Sequence, residues 1–300
     1  MPVVAQGSAS RTQRLIVVMA LGAAVAAALF LGDGADRVSS GPASGRAMND
    51  VSRSQPTSAR TLRIGTWNIH SGVGRDGRYD LQRIAKCLDG LDFVALNEVR
   101  GLAAGSANNQ AAALGATLQQ AWLFAPSERQ WWHDHFGNAA LTDLPISAWL
   151  RIPLPCSQGK GYRNALLMTV ETAGAPVRVL ATHLDRSHDR AVQLAAVSDL
   201  FLALAEPCVL LGDLNTTSDD AQIQRLRCAP GVEDPFAARL GGNDEFRIDW
   251  ILTRGLHCVR CDIEDRGASD HPLLWAELKI SEPYPLSPRH ATRAKPDRVR

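Results

Sequence analysis

The chain has 300 residues, of which 45% are hydrophobic, and its 32 basic and 31 acidic residues leave a formal net charge of +1. This composition is typical of a folded protein with one large core or two modest ones, and it excludes a fibrous repeat or a wholly disordered chain. The near-neutral charge excludes a general attraction to nucleic acid or anionic membranes, so any binding of a polyanion must be local.

Residues 1–33 contain an export-type segment. An uninterrupted apolar run extends from Leu15 to Leu31, with Arg11 and Arg14 before it and Asp33 after it. A positive flank followed by such a run is typical of a signal peptide or a signal-anchor. Because no clear cleavage signal follows the run, we expect an uncleaved membrane anchor with the catalytic part outside the cytoplasm. A secreted protein is the alternative.

The regions flanking the central part of the chain have a different composition. Residues 34–60 are rich in Ser, Gly, Pro, Ala and Arg without periodicity, which predicts a disordered linker. Residues 281–300 are rich in Pro and Arg and predict a disordered basic tail. The sequence therefore predicts one folded domain over residues 61–280.

The six cysteines all lie beyond the apolar run. An even number in an exported domain allows disulfides, but six cysteines allow 15 pairings and the sequence does not choose among them. Cys258 and Cys261 have CxxC spacing without a second pair to complete a zinc site. Any metal is therefore expected to bind through oxygen ligands.

The first ordered segments alternate between strand and helix. Leu62 to His70 predicts a strand, and the helically spaced residues that follow Asp80 predict a helix that ends at Gly90. Leu91 to Val99 predicts another strand, apolar until it reaches Glu98 near its end. Strand, helix and strand in succession indicate an α/β class.

The next segments are predicted strands separated by turns, at residues 138–141, 147–152, 164–171 and 176–183, and the last of them ends at His183. Ser187 is expected to cap a helix. A buried strand at residues 207–211 then leads to Asp213 and Asn215. Side chains two residues apart on a strand share one side, so these two point the same way. In isolation, an Asx turn is the alternative.

A carboxylate is embedded in the next predicted strand, Phe246 to Leu252. Burial of Asp249 is costly unless it is paired, so a cationic or imidazole partner is expected. His271 precedes Pro272, which favours an extended conformation at His271. The closing strand is predicted from Leu273 to Ile280.

Six strand ends thus carry polar side chains in a fixed order: Trp67-Asn68-Ile69, Asn97-Glu98, Thr182-His183-Leu184, Gly212-Asp213-Leu214-Asn215, Arg247-Ile248-Asp249 and Ser269-Asp270-His271. In this order and spacing they resemble the endonuclease/exonuclease/phosphatase superfamily, which includes deoxyribonuclease-like nucleases, abasic-site endonucleases, sphingomyelinases and inositol-polyphosphate phosphatases. The resemblance covers residues 62–280. It implies an α/β (α+β) fold, a four-layer α/β/β/α sandwich of two packed mixed sheets with flanking helices.

The resemblance also implies hydrolysis of a phosphoester by direct attack of water, with Mg²⁺ as the metal and Mn²⁺ as a substitute. The implied metal ligands are Glu98, Asn68 and Asp270. The implied catalytic residues are Asp213 as the base, Asn215, the phosphate-facing His183 and His271, and Asp249 as the partner of His271. The implied substrate-binding residues are Asn215, Arg163 and Asn138.

Two positions depart from the patterns of particular branches. His70 stands where abasic-site endonucleases have an Asp that supports the metal, which argues against that repair activity. An acidic partner for His183 is not evident from the sequence. Asp134 and Glu128 are candidates for that partner by position.

The substrate is left open among a phospholipid headgroup, a small phosphodiester and nucleic acid. A nuclease is the second hypothesis, and a non-catalytic binding module, or an envelope anchor that uses Trp131 and Trp132, is the alternative of another class. We expect a monomer that contacts the membrane through its N-terminal segment.

Overall fold

The computed structural model describes residues 61–101, 109–130, 135–158, 161–241 and 244–280, together with the backbone of two short strands at 35–37 and 44–46. The apolar run, the C-terminal tail, Trp131, Trp132 and Asp134 lie outside these residues. Within the described part of the chain, no helix combines the length and apolar character needed to cross a membrane.

Fourteen strands of the described chain form two mixed sheets. In chain order they are β1 (Ala35–Arg37), β2 (Ser44–Arg46), β3 (Thr61–Asn68), β4 (Phe93–Gly101), β5 (Ala121–Gln130), β6 (His135–Thr142), β7 (Ile146–Pro153), β8 (Asn164–Val170), β9 (Val177–His183), β10 (Cys208–Asp213), β11 (Val232–Glu233), β12 (Asp249–Arg254), β13 (Leu256–Glu264) and β14 (Leu273–Ile280).

The first sheet has the strand order β5-β6-β4-β3-β14-β13, with β1 and β2 both paired to β5. The second has the order β11-β12-β10-β9-β8-β7. In each sheet one central pair is parallel, β3 with β4 and β9 with β10. The carboxyl ends of these two parallel pairs carry most of the residues singled out in the sequence.

The described chain has five α-helices: α1 (Leu81–Leu88), α2 (Gln110–Leu118), α3 (Arg190–Ala203), α4 (Ala221–Arg227) and α5 (Ala237–Leu240). The first four cover the outer faces of the sheets. Three of them begin at a residue whose side chain accepts a hydrogen bond from the first turn: Asp80, Asn109 and Asp220. Such capping satisfies backbone N–H groups that have no partner inside the helix.

The apolar residues form three layers of core. One cluster, with Ile64 and Leu211, fills the space between the two sheets. A second packs α1 and α2 against the first sheet around Trp67, and a third packs α3 and α4 against the second sheet around Trp250. This confirms the predicted four-layer α/β/β/α sandwich.

The predicted starts of α3 and β12 were wrong. Helix α3 begins at Arg190 rather than next to Ser187, because the carboxylate of Asp185 accepts hydrogen bonds from the backbone of Arg186 and Asp189 and holds the intervening residues in bends. Strand β12 begins at Asp249, so Phe246 to Ile248 precede it. β1 and β2 lie within the stretch for which the sequence predicts no strand.

The six cysteines form no disulfide bond in the described part of the chain. Cys258 and Cys261 both lie on β13 and pack against the core between the sheets. Burial raises the pKa of Cys258 to about 12 and also raises that of Cys261. Both thiols are therefore protonated at neutral pH.

Candidate active site

The candidate site lies at the edge where the central strands of both sheets end. In β10, Val209 and Leu211 point into the core between the sheets, whereas Cys208 and Leu210 point towards the helices. Because side chains alternate along a strand, Asp213 falls on the same face as Leu211. It therefore lies between the two sheets, where a carboxylate meets side chains from both.

The same alternation places a polar residue at the last position between the sheets on five further strands. These residues are Asn68 of β3, Asn97 of β4, Asn138 of β6, Asn164 of β8 and His183 of β9, and all of them are buried. Asp249 takes the corresponding position on β12, where it pairs with Asp213 across the strands. A buried polar layer thus closes the core at this edge.

Asp213 is at the centre of this layer. Its Oδ2 accepts a hydrogen bond from Asn68 Nδ2 at 3.0 Å and lies 3.4 Å from His183 Nε2, while its Oδ1 accepts one from the backbone N of Asn215 at 2.9 Å. Burial and the charge of Asp249 raise the pKa of Asp213 to about 7, although His271 and Asn68 act against the rise. A carboxyl group with such a pKa can exchange a proton near neutral pH.

His271 is paired with the buried carboxylate of Asp249. Its Nδ1 lies 2.7 Å from Asp249 Oδ2, and its Nε2 lies 3.9 Å from Asp213 Oδ2. Burial alone would lower the pKa of His271, but the hydrogen bond and the charge of Asp249 outweigh it and raise the pKa to about 9. His271 is therefore a cation at neutral pH, and its Nδ1–H donates to Asp249.

His183 is in the opposite electrostatic situation. Its side chain is fully buried, and burial, together with the charge of Arg163, holds its pKa well below the usual 6.5. Its Nε2 faces Asp213, and its Nδ1 has no hydrogen-bond partner among the described residues. Because of this low pKa, His183 is neutral at neutral pH. Glu128, a candidate by position for the partner of His183, accepts a hydrogen bond from the backbone N of Tyr162 at 2.9 Å.

Glu98 lies at a bulge of β4. The pairing of β4 with β6 shifts between Leu96 and Val99, and Glu98 has a φ of 57°. A bulge interrupts the alternation of side chains and turns the bulged residue away from the ladder. The half-buried carboxylate makes no hydrogen bond or ion pair with any other described residue, so it is available to a ligand.

Asp270 and Asn68 offer two further side-chain oxygens at this edge of the sheets. Asp270 Oδ1 accepts a hydrogen bond from Ser269 Oγ at 3.2 Å, and Asn68 Oδ1 accepts one from the backbone N of His70 at 3.1 Å. Burial raises the pKa of Asp249, and the charges of Asp270 and Glu98 add to the rise. Two carboxylates and an amide oxygen are hard donors, and Mg²⁺ prefers such ligands.

A group of acidic and histidine side chains in the described part of the chain has ligand atoms close enough to hold a metal ion. Ligand atoms of Asp213, Asp249 and His271 lie within 4.8 Å of one another. The hydrogen bond to Asp249 occupies His271 Nδ1, so Nε2, 3.9 Å from Asp213 Oδ2, is the ring nitrogen that faces the site.

Arg163 and Asn215 approach each other at the end of β9. Arg163 Nε and Asn215 Nδ2 both donate to the backbone O of Leu184, at 3.3 Å and 3.0 Å. The guanidinium groups of Arg163 and Arg100 lie 5.7 Å and 5.5 Å from the ring centre of Phe136. This side of the site is cationic and aromatic.

Asn138 does not reach the open face of the site. It is buried between the sheets, where its Nδ2 donates to the backbone O of Asn164 at 3.1 Å and its Oδ1 accepts from Asn97 Nδ2 at 2.9 Å. Asn97 stands in one of the six motifs but was given no role from the sequence, and Asn164 was missed as a member of the buried polar layer. The sequence signal for both was an Asn at one end of an apolar strand, on the face whose apolar side chains point into the core between the sheets.

A pocket with a volume of about 310 Å³ adjoins His271. Its polar wall is formed by Asp249, Asp270 and His271. The rest of the lining is mainly apolar and consists of Leu240, Phe246, Ile248, Ile263, Pro272 and Leu274, with Arg247 beside them. Phe246 is 86% exposed, which leaves its ring accessible at the mouth of the pocket.

The family model described as "Endonuclease/Exonuclease/phosphatase family" matches residues 65–271. The chain belongs to this family. It is accordingly a metal-dependent phosphoester hydrolase, and the matched residues include every strand end described above. No curated protein matches the sequence.

Solved structures share the fold. An endonuclease/exonuclease/phosphatase from Beutenbergia cavernae DSM 12333 is 27% identical, with a TM-score of 0.62 over 74% of this chain and 72% of that chain. The human Nocturnin catalytic domain with bound sulfate is 17% identical, with a TM-score of 0.56 over 74% of this chain and 94% of that one. D. rerio TDP2 with a single strand DNA product is 18% identical, with a TM-score of 0.53 over 73% of this chain and 99% of that one.

Proposed function

We propose that this family member is a Mg²⁺-dependent hydrolase in which a water molecule activated by Asp213 attacks the phosphorus of a phosphoester. The observation that carries the proposal is the position of Asp213: it is buried between the sheets and contacts Asn68 and His183, and the cationic His271 lies close by. Mn²⁺ is expected to substitute for Mg²⁺.

Asp213 fits the role of general base. Its raised pKa of about 7 makes it a stronger base than an exposed carboxylate. The two hydrogen bonds from Asn68 and the backbone N of Asn215 fix the orientation of the carboxylate. Efficient proton transfer needs both a pKa near the working pH and a fixed geometry.

The two histidines support different steps. The cationic His271 donates from Nε2 to a phosphoryl or leaving oxygen as negative charge develops, and Asp249 keeps it protonated. The neutral His183 is proposed to donate one hydrogen bond to a phosphate oxygen without adding charge. Asn215 and Arg163 are proposed to hold phosphate oxygens from the β9 side.

Glu98, Asp270 and Asn68 would hold the metal. A bound Mg²⁺ polarises the phosphoryl group and stabilises the charge that develops on its oxygens. The free carboxylate of Glu98 and the hard character of the three donors support this assignment.

The pocket beside His271 supports a phosphodiester in which one esterified group is compact and partly apolar. Since the pocket shares His271 and Asp270 with the catalytic centre, a group attached to the reacting phosphate can enter it. The apolar lining favours a ring or a short hydrocarbon over a polyhydroxylated group.

Nucleic acid is the second candidate substrate. Arg100, Arg163 and Phe136 form a cationic and aromatic surface beside Glu98, and such surfaces bind single strands by backbone contacts and base stacking. D. rerio TDP2 is described in complex with a single strand DNA product.

The location is also a proposal. The apolar run from Leu15 to Leu31 behind Arg11 and Arg14 supports a protein anchored by its N-terminus, with the domain of residues 61–280 outside the cytoplasm. We expect this protein to be a monomer. Secretion after cleavage of this run is the alternative. Accessibility of residues 61–280 to protease added to intact cells tests this topology, and protection would contradict it.

A substrate panel tests the proposed activity. The full chain is assayed with p-nitrophenyl phosphodiesters that carry a methyl or a phenyl group, with sphingomyelin, with phosphoinositides and with single-stranded and plasmid DNA, each with Mg²⁺, Mn²⁺ or chelator. We expect metal-dependent turnover of the diesters and a preference for phenyl over methyl. Absence of turnover on every substrate would favour the binding-module alternative, and preferential release of nucleotides from DNA would favour the nuclease.

The pocket is tested within the same panel. Phe246→Ala should lower kcat/KM for the phenyl ester by about tenfold, with little effect on the methyl ester. Val259→Ala, at an exposed residue of β13 outside the pocket lining, is the matched control and should change neither. Equal effects of Phe246→Ala on both esters would show that the pocket does not select the substrate.

A further inference from the structure

We propose that Asn97 is a positioning residue that fixes Asp213 relative to Glu98, an inference that rests on the proposed hydrolysis. Asn97 lies on β4 directly before Glu98 and is fully buried. Its side-chain amide contacts residues of three other strands, β6, β9 and β10. Two of these strands belong to the second sheet, so one side chain connects the strand of Glu98 with the strand of Asp213.

The contacts use both ends of the amide. Asn97 Nδ2 donates to Asn138 Oδ1 at 2.9 Å and to the backbone O of Thr182 at 3.1 Å, and Asn97 Oδ1 accepts from the backbone N of Asp213 at 3.0 Å. A reversed amide would bring an oxygen against two acceptors and an NH₂ group against an N–H. The three partners therefore allow a single orientation, and both Nδ2 hydrogens are used.

The backbone of β4 does not provide this connection by itself. The ladder between β4 and β6 shifts its register between Leu96 and Val99, and the positive φ of Glu98 falls inside that shift. Regular pairing of β4 with β6 is thus interrupted at Glu98 and resumes at Val99. The amide of Asn97, directly before the bulge, bonds to two strands of the second sheet, β9 and β10.

The partners of Asn97 are next to the reacting groups. Thr182 directly precedes His183, and the bonded N–H belongs to Asp213 itself. A shift of this N–H would move the Asp213 carboxylate relative to both Glu98 and His183. Small displacements of catalytic groups lower the rate of the chemical step more than they lower substrate binding.

Asn164 offers a matched control at the far end of the same network. It is equally buried, and its Nδ2 donates to Ala125 O at 3.2 Å and to Ser127 Oγ at 2.9 Å. Its side chain does not bond to Asp213. Asn97→Leu and Asn164→Leu each remove a buried carboxamide of the same size, so both are expected to lower the melting temperature.

The experiment compares kcat and KM of the full chain and both variants on the p-nitrophenyl diester at saturating Mg²⁺. We expect Asn97→Leu to lower kcat by about tenfold or more with KM little changed, and Asn164→Leu to keep kcat within about threefold of wild type. A smaller loss in Asn97→Leu, or an equal loss in both variants, would overturn the positioning role.

A replacement variant and the activity of the wild type complete the test. If Asn97→Leu does not fold, Asn97→Ala takes its place with the same thresholds, because the space it leaves can admit a water molecule that bonds the exposed groups. An inactive wild type would overturn the proposed function, and the inference with it, before any variant is compared.

Discussion

At the residue scale, the two histidines next to Asp213 differ in charge because their partners differ. His271 has the carboxylate of Asp249 at 2.7 Å, and its pKa rises to about 9. His183 is buried beside Arg163 without a partner at Nδ1, and its pKa falls well below 6.5. The two imidazoles beside one carboxylate therefore differ in protonation state at neutral pH.

Asp249→Asn should lower the pKa of His271 from about 9 towards or below 6.5, because burial then acts without the opposing carboxylate. The imidazole titration, followed by NMR in the presence of chelator, measures the shift directly. A wild-type His271 that titrates near 6.5 would contradict the account.

The raised pKa of His271 also links stability to pH. The stabilisation is fully present below the usual value of 6.5 and is lost as the pH rises through about 9. Between pH 7 and pH 10, the free energy of unfolding of the wild type should therefore decrease more than that of Asp249→Asn. Parallel denaturant titrations of the two proteins test this, and identical decreases would argue against the linkage.

Glu98→Gln should weaken activation by Mg²⁺, since it removes the charge of a carboxylate that has no other partner among the described residues. We expect the Mg²⁺ concentration for half-maximal activity to rise by about tenfold or more. Asp199→Asn, at an exposed position of α3, is the control. An unchanged Mg²⁺ requirement in Glu98→Gln would remove Glu98 from the metal site.

At the element scale, the close approach of β9 and β10 depends on Gly212. This residue has a φ of 138°, and a Cβ at its position would overlap the backbone O of Thr182. The strands can therefore bring Asp213 beside His183 only with glycine before Asp213.

Gly212→Ala is expected to destabilise the protein by about 1–3 kcal/mol and to lower activity, because the overlap separates β9 from β10. Gly77→Ala is the control, since Gly77 also has a positive φ, 72°, but a Cβ added at its position would lie in open space. Urea unfolding of both variants gives the comparison. An equal loss of unfolding free energy in the two variants would mean that backbone strain alone, without the overlap, accounts for the destabilisation.

Elements with an uninterrupted apolar pattern could be predicted from the sequence, and those held by tertiary contacts could not. The closing strand was predicted with its observed bounds, Leu273–Ile280. The stretch from Phe246 to Ile248 has the composition of a strand, yet Phe246 is 86% exposed and the strand begins at Asp249. What decides this boundary is the pairing of Asp249 with Asp213, a contact across 36 residues that no local pattern contains.

At the scale of the whole molecule, the site exists because two sheets end at one edge. The order of the motifs in the chain indicated which residues meet there. It did not indicate that Asn97 reaches Asp213 across the core, since the two are 116 residues apart. The opposite protonation of His183 and His271 likewise depends on burial and on neighbours that only the packed sandwich defines.

The central claim is that Asp213 activates the attacking water. Asp213→Asn keeps the size of the side chain and an oxygen acceptor but removes the basic carboxylate, so the most direct measurement is kcat of this variant on the p-nitrophenyl diester at saturating Mg²⁺. We predict a loss of about a hundredfold or more with a melting temperature close to that of the wild type. A folded Asp213→Asn variant with wild-type kcat would contradict the claim.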